Sequence, residues 1–406
     1  MSKIELLSPA GDMSKLKTAF LFGADAVYVG GKAFSLRALA GNFTNEELKE
    51  AVEYAHKLNK KLYVTVNIFA KNYDIKQAEE YLKFLESIKV DGAIISDTGL
   101  ISLALEVAPN LSVNLSTQAN TLNYKTVEFW AKHGVKRVIL ARELSFAEIK
   151  EIHQRNPEME IETFIHGAMC ISYSGRCLLS DYRTGRSSNR GACVQACRWE
   201  YEIREKDSEC GYMQMQEDEH GTYILNSKDL NLIDYLKEID DAGICSVKIE
   251  GRMKSEYYLA TVVNAYRRAL DEYYEKGEKY KENPLYKEEL EKTAHREFTT
   301  AYALGDNDRT VNYDDSQSKG SYRFIANVLE DAFNGYALVE MRNRFKKGDV
   351  LQVLSPNETF NKEIVVDKML DEKDGVVEDA KIVQQKIKLF TDLPLKQGDI
   401  LRIKNS

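Results

Sequence analysis

The sequence predicts a parallel (β/α)₈ barrel with a cysteine-rich insertion after its seventh strand, followed by a small C-terminal β-barrel. Three observations predict it. Eight short apolar runs alternate with amphipathic helical stretches over the first 250 residues, four of the six cysteines cluster at 170–197 in the long gap between the last two runs, and from about residue 299 the pattern changes to short strands with Gly-Asp turns. The strand candidates begin near Glu5 (ELLSPAG), Ala26 (AVYVGG), Leu62 (LYVTVNIF), Gly92 (GAIISD), Ser112 (SVNLSTQ), Arg137 (RVILAR), Ile161 (IETFIHG) and Ser246 (SVKIEGR). Their starts are 20 to 36 residues apart through the seventh and then 85 apart.

Between the strands the period changes to helical. Ala78, Tyr81, Leu82 and Leu85 share one face at i, i+3, i+4, i+7. Thr44-x-x-Glu47 and Ser145-x-x-Glu148 are capping boxes that supply acceptors for orphan N–H groups. Gly23, Gly134 and Gly243 stand where helices should stop. The long eighth gap implies an insertion of roughly 55 residues, about 168–222, at the C-terminal end of strand seven, where barrel enzymes place their chemistry. A helix containing Tyr257, Ala260, Val263, Asn264 and Arg267 follows, with Pro284 breaking it. The domains expected are therefore 1–298 and 299–406, the second a β-module suited to docking. A doubly wound sheet is the alternative for the first.

Composition bounds the function. The 406 residues are 43% hydrophobic and 30% charged with six prolines, which excludes a disordered or collagen-like chain. Every apolar run is strand-length, so no membrane span is expected. No basic-plus-apolar leader precedes the first strand, which predicts a cytoplasmic, reducing setting in which cysteines bind metal or react rather than pair. A net charge of −8 argues against a generic DNA-coating protein. Residues 176–198 oppose that trend, with Arg176, Arg183, Arg186, Arg190 and Arg198 against one acid, Asp181. These arginines either counter a buried anion or contact phosphate, with Tyr173, Tyr182 or Trp199 available to stack on a base.

Cys170, Cys177, Cys193 and Cys197 form C-x₆-C-x₁₅-C-x₃-C, far denser than six cysteines spread over the chain would be. Three readings are open. Buried structural thiols suit the polar, arginine-rich surround poorly. Structural zinc usually takes a tight cysteine pair at both ends, and only the second pair here is tight. An iron–sulfur cluster accepts looser loops, and nearby arginines suit its charge, so it is the favoured reading. Cys210 and Cys245 lie outside the cluster, Cys210 as a reserve ligand.

These same residues carry a resemblance. Glu162-x-Phe164-x-x-Gly167-Ala168-Met169-Cys170-x₄-Gly175-x-Cys177-x-Leu179-Ser180 resembles the signature of the collagenase-like peptidases, family thirty-two of unknown catalytic type. ELLSPAGD at 5–12, GADAVYVGG at 23–31, RELS at 142–145, CRW at 197–199, NSKDL at 226–230 and KIEGR at 248–252 resemble that family too, over essentially the whole chain. The resemblance implies an oxygen-independent hydroxylase with a 4Fe–4S cluster on the four cysteines. The C-terminal domain and the Cys193/Cys197 pair are most similar to the arm that acts on tRNA wobble uridine, forming 5-hydroxyuridine with prephenate as hydroxyl donor. Other arms act on 23S ribosomal RNA or on a ubiquinone precursor, the latter usually without such a domain.

The protease label finds no machinery here. The histidines (His56, His133, His153, His166, His220, His295) form no HExxH, and there is no G-x-S-x-G elbow. A collagenase-like protease and a non-enzymatic RNA-binding scaffold with a structural metal are the alternatives.

The rule that polar residues at C-terminal strand ends face a barrel's active-site mouth selects Asn67, Asp97, Gln118, Arg142, Glu143, His166, Lys248, Glu250 and Arg252. Arg142 and Arg252 suit bidentate binding of a dianionic acid such as prephenate. Arg142–Glu143 and Glu250–Arg252 also read as ion pairs fixing loops. His166, four residues before Cys170, reads as a proton donor or as a structural residue, and Glu162 as part of the strand framework. Oligomeric state is not readable from the sequence.

Overall fold

The computed structural model describes residues 3–35, 41–170, 172–190, 192–196, 228–305 and 318–405. The chain divides into two compact units. One comprises Met1–Leu16, Asp25–Met253 and Arg296–Gln317, the other Lys17–Ala24, Lys254–His295 and Ser318–Ser406.

From the N-terminus the strands and helices run in the order β1 (Glu5–Pro9), α1 (Met13–Leu21), whose residues from Lys17 on belong to the second unit, β2 (Ala26–Gly30), α2 (Asn45–Lys57), β3 (Lys61–Val66), α3 (Ile75–Ser87), β4 (Gly92–Ile95) and α4 (Thr98–Val107). They continue with β5 (Val113–Leu115), α5 (Tyr124–Lys132), β6 (Arg137–Ile139), α6 (Phe146–Arg155) and β7 (Glu160–Ala168). Then come α7 (Leu179–Thr184), β8 (Asp229–Asn231), α8 (Leu236–Asp241) and β9 (Ser246–Ile249). β1 to β7 and β9 pair in parallel, each with the next, and β9 pairs with both β7 and β1, so the barrel closes with eight strands. The eight strand candidates of the sequence are these eight. β8 is an addition: it runs antiparallel to the protruding end of β7 and leaves the closed ring intact.

Local chemistry explains the helices. Both capping boxes form, Thr44 and Ser145 each accepting from the N3 amide while Glu47 and Glu148 reach back. The buried residues of α3 are Ala78, Tyr81, Leu82 and Leu85, the apolar face of its period. Gly23, Gly134 and Gly243 take positive φ just past helix ends.

The second unit holds α9 (Glu256–Lys276), α10 (Pro284–Leu290) with its proline at the first helical position, and most of the C-terminal strands. The sequence after 299 gives β10 (Phe298–Thr299), which pairs with β8 in the first unit, then β11 (Tyr322–Val328), β12 (Tyr336–Met341), β13 (Phe345–Lys346), β14 (Val350–Leu354) and β15 (Glu363–Val365). β16 (Met369–Leu370), β17 (Asp379–Ala380), β18 (Lys386–Phe390) and β19 (Ile400–Lys404) complete it. Seven of them form an antiparallel sheet in the order β15-β14-β19-β11-β12-β18-β16 around a core that includes Ile325, Val339, Leu351, Ile387 and Leu401. Arg402 and Glu289, both fully buried, pair within this unit. Among the described residues no helix is long and apolar enough to cross a membrane.

Buried carboxylates set the acid limit of each unit. Burial pushes Glu5 up, but Arg137 and Lys61 outweigh it and hold its carboxyl below the usual range. Glu289 is likewise raised by burial and lowered further by Arg402 and Lys292. A depressed folded-state pKa contributes stability that is complete above the unfolded value, about 4.3 for glutamate, and is lost as pH falls through the folded one. Urea midpoints are expected to be flat above about pH 5 and to fall steadily below about pH 4. Midpoints that hold or rise as the pH drops through 4 and below contradict this.

Candidate active site at the barrel mouth

Side chains from seven barrel strands or their C-terminal ends line one cavity of about 180 Å³. Asn67 follows β3, Gln118 follows β5, Arg142 follows β6, and Lys248, Glu250 and Arg252 come from β9 and its end, with Tyr28, Thr65, Ile94, Ile139 and Phe164 between them. Asn67 Nδ2 donates to Gln118 Oε1 at 3.1 Å, fixing two amides side by side. The Arg142 guanidinium lies 4.5 Å from the Phe164 ring centroid and donates to the Ala168 carbonyl at 3.0 Å. Arg252 is buried and donates through Nη1 to Ser35 Oγ at 2.8 Å and Thr65 Oγ1 at 3.3 Å. It fits because position 30 is glycine: a Cβ there would lie 2.2 Å from Arg252 Nη1. Glu250 accepts from the Tyr28 hydroxyl at 3.2 Å.

The insertion roofs this cavity. Cys170, Cys177 and Cys193 line it together with Leu179, Ser180, Ser188 and Ala196. Cys197 and Arg198 lie outside the described residues, as do Trp199, Cys210 and His220. Burial pushes the Cys170 thiol up, with the Arg142 charge opposing it. The Gln195 amide points to Cys193 Sγ at 3.4 Å. Among the described residues no three His, Cys, Asp or Glu side chains are gathered closely enough to hold a single metal ion. Cys170, Cys177 and Cys193 are the thiols that line the cavity among the described residues.

Polar bonds fasten the roof to three neighbouring loops. Arg190 donates to both oxygens of Asp74, at 3.0 and 3.3 Å, and to the Phe69 carbonyl at 2.8 Å. That bond holds the Asp74 carboxyl below its usual range. Arg176 Nε donates to the Gln118 carbonyl at 2.7 Å, Asn120 Nδ2 donates to the Tyr173 carbonyl at 3.2 Å, and the Ser174 amide donates to Glu143 at 2.8 Å.

Several sequence expectations change accordingly. Arg190, expected at phosphate, is held by Asp74, and Arg176 keeps one nitrogen on the backbone. Arg183 and Arg186 are exposed. Glu143 binds Ser174 and makes no ion pair with Arg142. His166 is buried with its ring 5.5 Å from that of Phe298, and it is not part of the cavity wall. The reason is a bulge: between Phe164 and His166 the register with β9 shifts, so alternation along the strand no longer carries from one to the other. Asp97 caps α4 through the Leu100 amide.

What the sequence reading missed is a buried ionic network filling the barrel below the cavity. Lys248 Nζ donates to Glu162 at 3.0 Å and lies 4.3 Å from the Tyr28 ring centroid. Glu162, fully buried, also accepts from Arg137 at 3.0 Å and Ser246 Oγ at 3.3 Å, and Arg137 bonds Glu160 and Glu5. The signal was present: Glu5, Arg137, Glu162 and Lys248 are charges inside otherwise apolar parallel strands, where unpaired charge is costly.

Comparison with known proteins agrees with this architecture. The model of Peptidase family U32 matches residues 11–313, and that of the Peptidase family U32 C-terminal domain matches 320–402. The chain is 41% identical to tRNA hydroxylation protein P1 of Bacillus subtilis, covering 98% of this chain and 94% of that one. It is 39% identical to tRNA hydroxylation protein P of Escherichia coli, over 89% of this chain and 88% of that one. It is 38% identical to an uncharacterized protease of Methanocaldococcus jannaschii, over 94% and 93%.

Proposed function

The chain belongs to peptidase family U32, and from that premise we propose that it is an RNA-modifying hydroxylase acting on tRNA. Its reaction converts C5–H of the wobble uridine, position 34, to C5–OH without molecular oxygen. The observation that carries this reading is near-full-length similarity to two bacterial proteins named for tRNA hydroxylation. The site supports hydroxylation over peptide cleavage. No histidine lines the described cavity wall to activate a thiol, whereas three thiols, two arginines and a lysine do line it.

Hydroxylation removes two electrons from the base, so the group that surrenders the hydroxyl is reduced by two. We assign that role to prephenate, whose carboxylates would meet Arg142 and Arg252 of the cavity lining. Asn67 and Gln118 present paired amides able to read the edge of a base. Cys170, Cys177 and Cys193, with Cys197, would hold a 4Fe–4S cluster, which would supply redox or Lewis-acid chemistry. The fit rests on the chemistry of the wall: thiols facing a common space, an amide donor at Cys193 and the Arg142 charge beside Cys170.

Nucleoside mass spectrometry of tRNA from a deletion strain lacking paralogues tests the reaction. Loss of 5-hydroxyuridine and its derivatives, restored by the gene, is expected. Unchanged tRNA with loss of hydroxycytidine from ribosomal RNA moves the substrate to the ribosome, and no change in either overturns the reading. Iron with acid-labile sulfide in anaerobically purified protein is expected of the cluster; zinc without sulfide refutes it.

A further inference from the structure

Three tyrosines with nothing to do in the cavity stand exposed around its mouth. Tyr73, in the loop between β3 and α3, is 66% exposed. Tyr173, on the roof segment tied to the β5 and β6 loops through Asn120 and Glu143, is 51% exposed. Tyr182, on α7, is 87% exposed, while Leu179 and Ser180 of the same short helix face inward to the cavity. Rings this exposed gain nothing from folding that burial would have given, and exposed rings gathered around one opening point to a partner.

Basic side chains outnumber acids beside Tyr73 and Tyr182, where Asp74 is taken up by Arg190 and Asp181 is the exposed acid. The Arg190 guanidinium lies 5.6 Å from the Tyr73 ring centroid and Lys71 Nζ lies 6.0 Å from it. Arg183 and Arg186 follow Tyr182 in sequence and are exposed like it. Aromatic rings interleaved with cations are the chemistry that binds single-stranded nucleic acid, by stacking on bases and neutralising phosphates. A base drawn into a cavity also leaves its neighbours without their stacking partners, and rings at the rim can replace them.

We propose that Tyr73 and Tyr182, with Lys71, Arg183 and Arg186, form an aromatic–basic rim that docks a single-stranded RNA loop by stacking the bases on either side of the one admitted to the cavity. This deepens the RNA reading above and rests on it. The β3–α3 loop is part of the surface because Arg190 ties it to the roof through Asp74, so the two tyrosines belong to one fastened frame.

Equilibrium anisotropy with a labelled anticodon stem–loop RNA and the full-length protein tests the rim. Tyr73→Ala and Tyr182→Ala are each expected to weaken binding about 5- to 100-fold with the salt dependence unchanged, because stacking releases no counterions. Phenylalanine at either position is expected to restore affinity, since the ring and not the hydroxyl does the stacking. Lys71→Ala is expected to weaken binding and to lower the salt slope by about 1. Wild-type protein that binds the RNA while both alanine variants stay within twofold of it overturns the rim but leaves the RNA reading standing. A phenylalanine variant as weak as the alanine one also overturns it. Wild-type protein that ignores the RNA and binds an acidic peptide overturns both.

Discussion

Replacing Cys193 with alanine is expected to lower tRNA hydroxylation at least about 100-fold, as removal of a primary ligand should exceed the 10- to 100-fold typical of its supporting contacts. The expectation follows from where Cys193 stands. It shares the cavity wall with Cys170 and Cys177, and no other described cysteine does: Cys245 lies in the barrel strands with its thiol against the Ile161 carbonyl at 3.3 Å. Cys170→Ala and Cys177→Ala should therefore match Cys193→Ala, in activity and in loss of iron and sulfide together. Cys245→Ala should keep both. Full hydroxylation by a folded, iron-free Cys193→Ala protein would mean that the cavity works without a cluster and would overturn the cluster's part in the reaction.

A stability effect of comparable weight is expected below the cavity. Glu162→Gln should cost the barrel about 3–5 kcal/mol, because it removes the carboxylate from a buried pair and leaves the Lys248 ammonium among Tyr28, Phe164 and an uncharged amide. For a unit this size that corresponds to a fall in Tm on the order of 10 °C. Arg137 keeps Glu5 and Glu160, so the loss centres on Lys248. The double variant Glu162→Leu/Lys248→Met should recover most of it, since two apolar side chains of similar volume leave no charge to solvate. A single-variant loss below about 1 kcal/mol would show that water from the cavity solvates Lys248 in place of Glu162.

The parts of this protein that depend on near neighbours were legible before any coordinates. The alternation of eight strands with helices, the two capping boxes, the buried face of α3 and the position of the insertion all follow from residues a few places apart. The mouth residues Asn67, Gln118, Arg142, Lys248, Glu250 and Arg252 were also legible, because a closed parallel barrel leaves its C-terminal strand ends one common face. Position in a strand did not predict His166, since a bulge breaks the alternation that the reasoning assumed. Arg190 reads the same as Arg183 and Arg186 in a basic segment, and only the approach of Asp74, 116 residues away, separates a fastening residue from exposed ones.

By itself, then, the sequence determined the element types, the barrel and the gathering of thiols and arginines in one insertion, because hydrophobic period and capping act over one or two turns. The tertiary structure decided which charges are spoken for. Lys248 meets Glu162 across 86 residues and Arg137 meets Glu5 across 132, and a buried ion's role is set by whichever partner is brought within reach. That choice is made when the barrel closes.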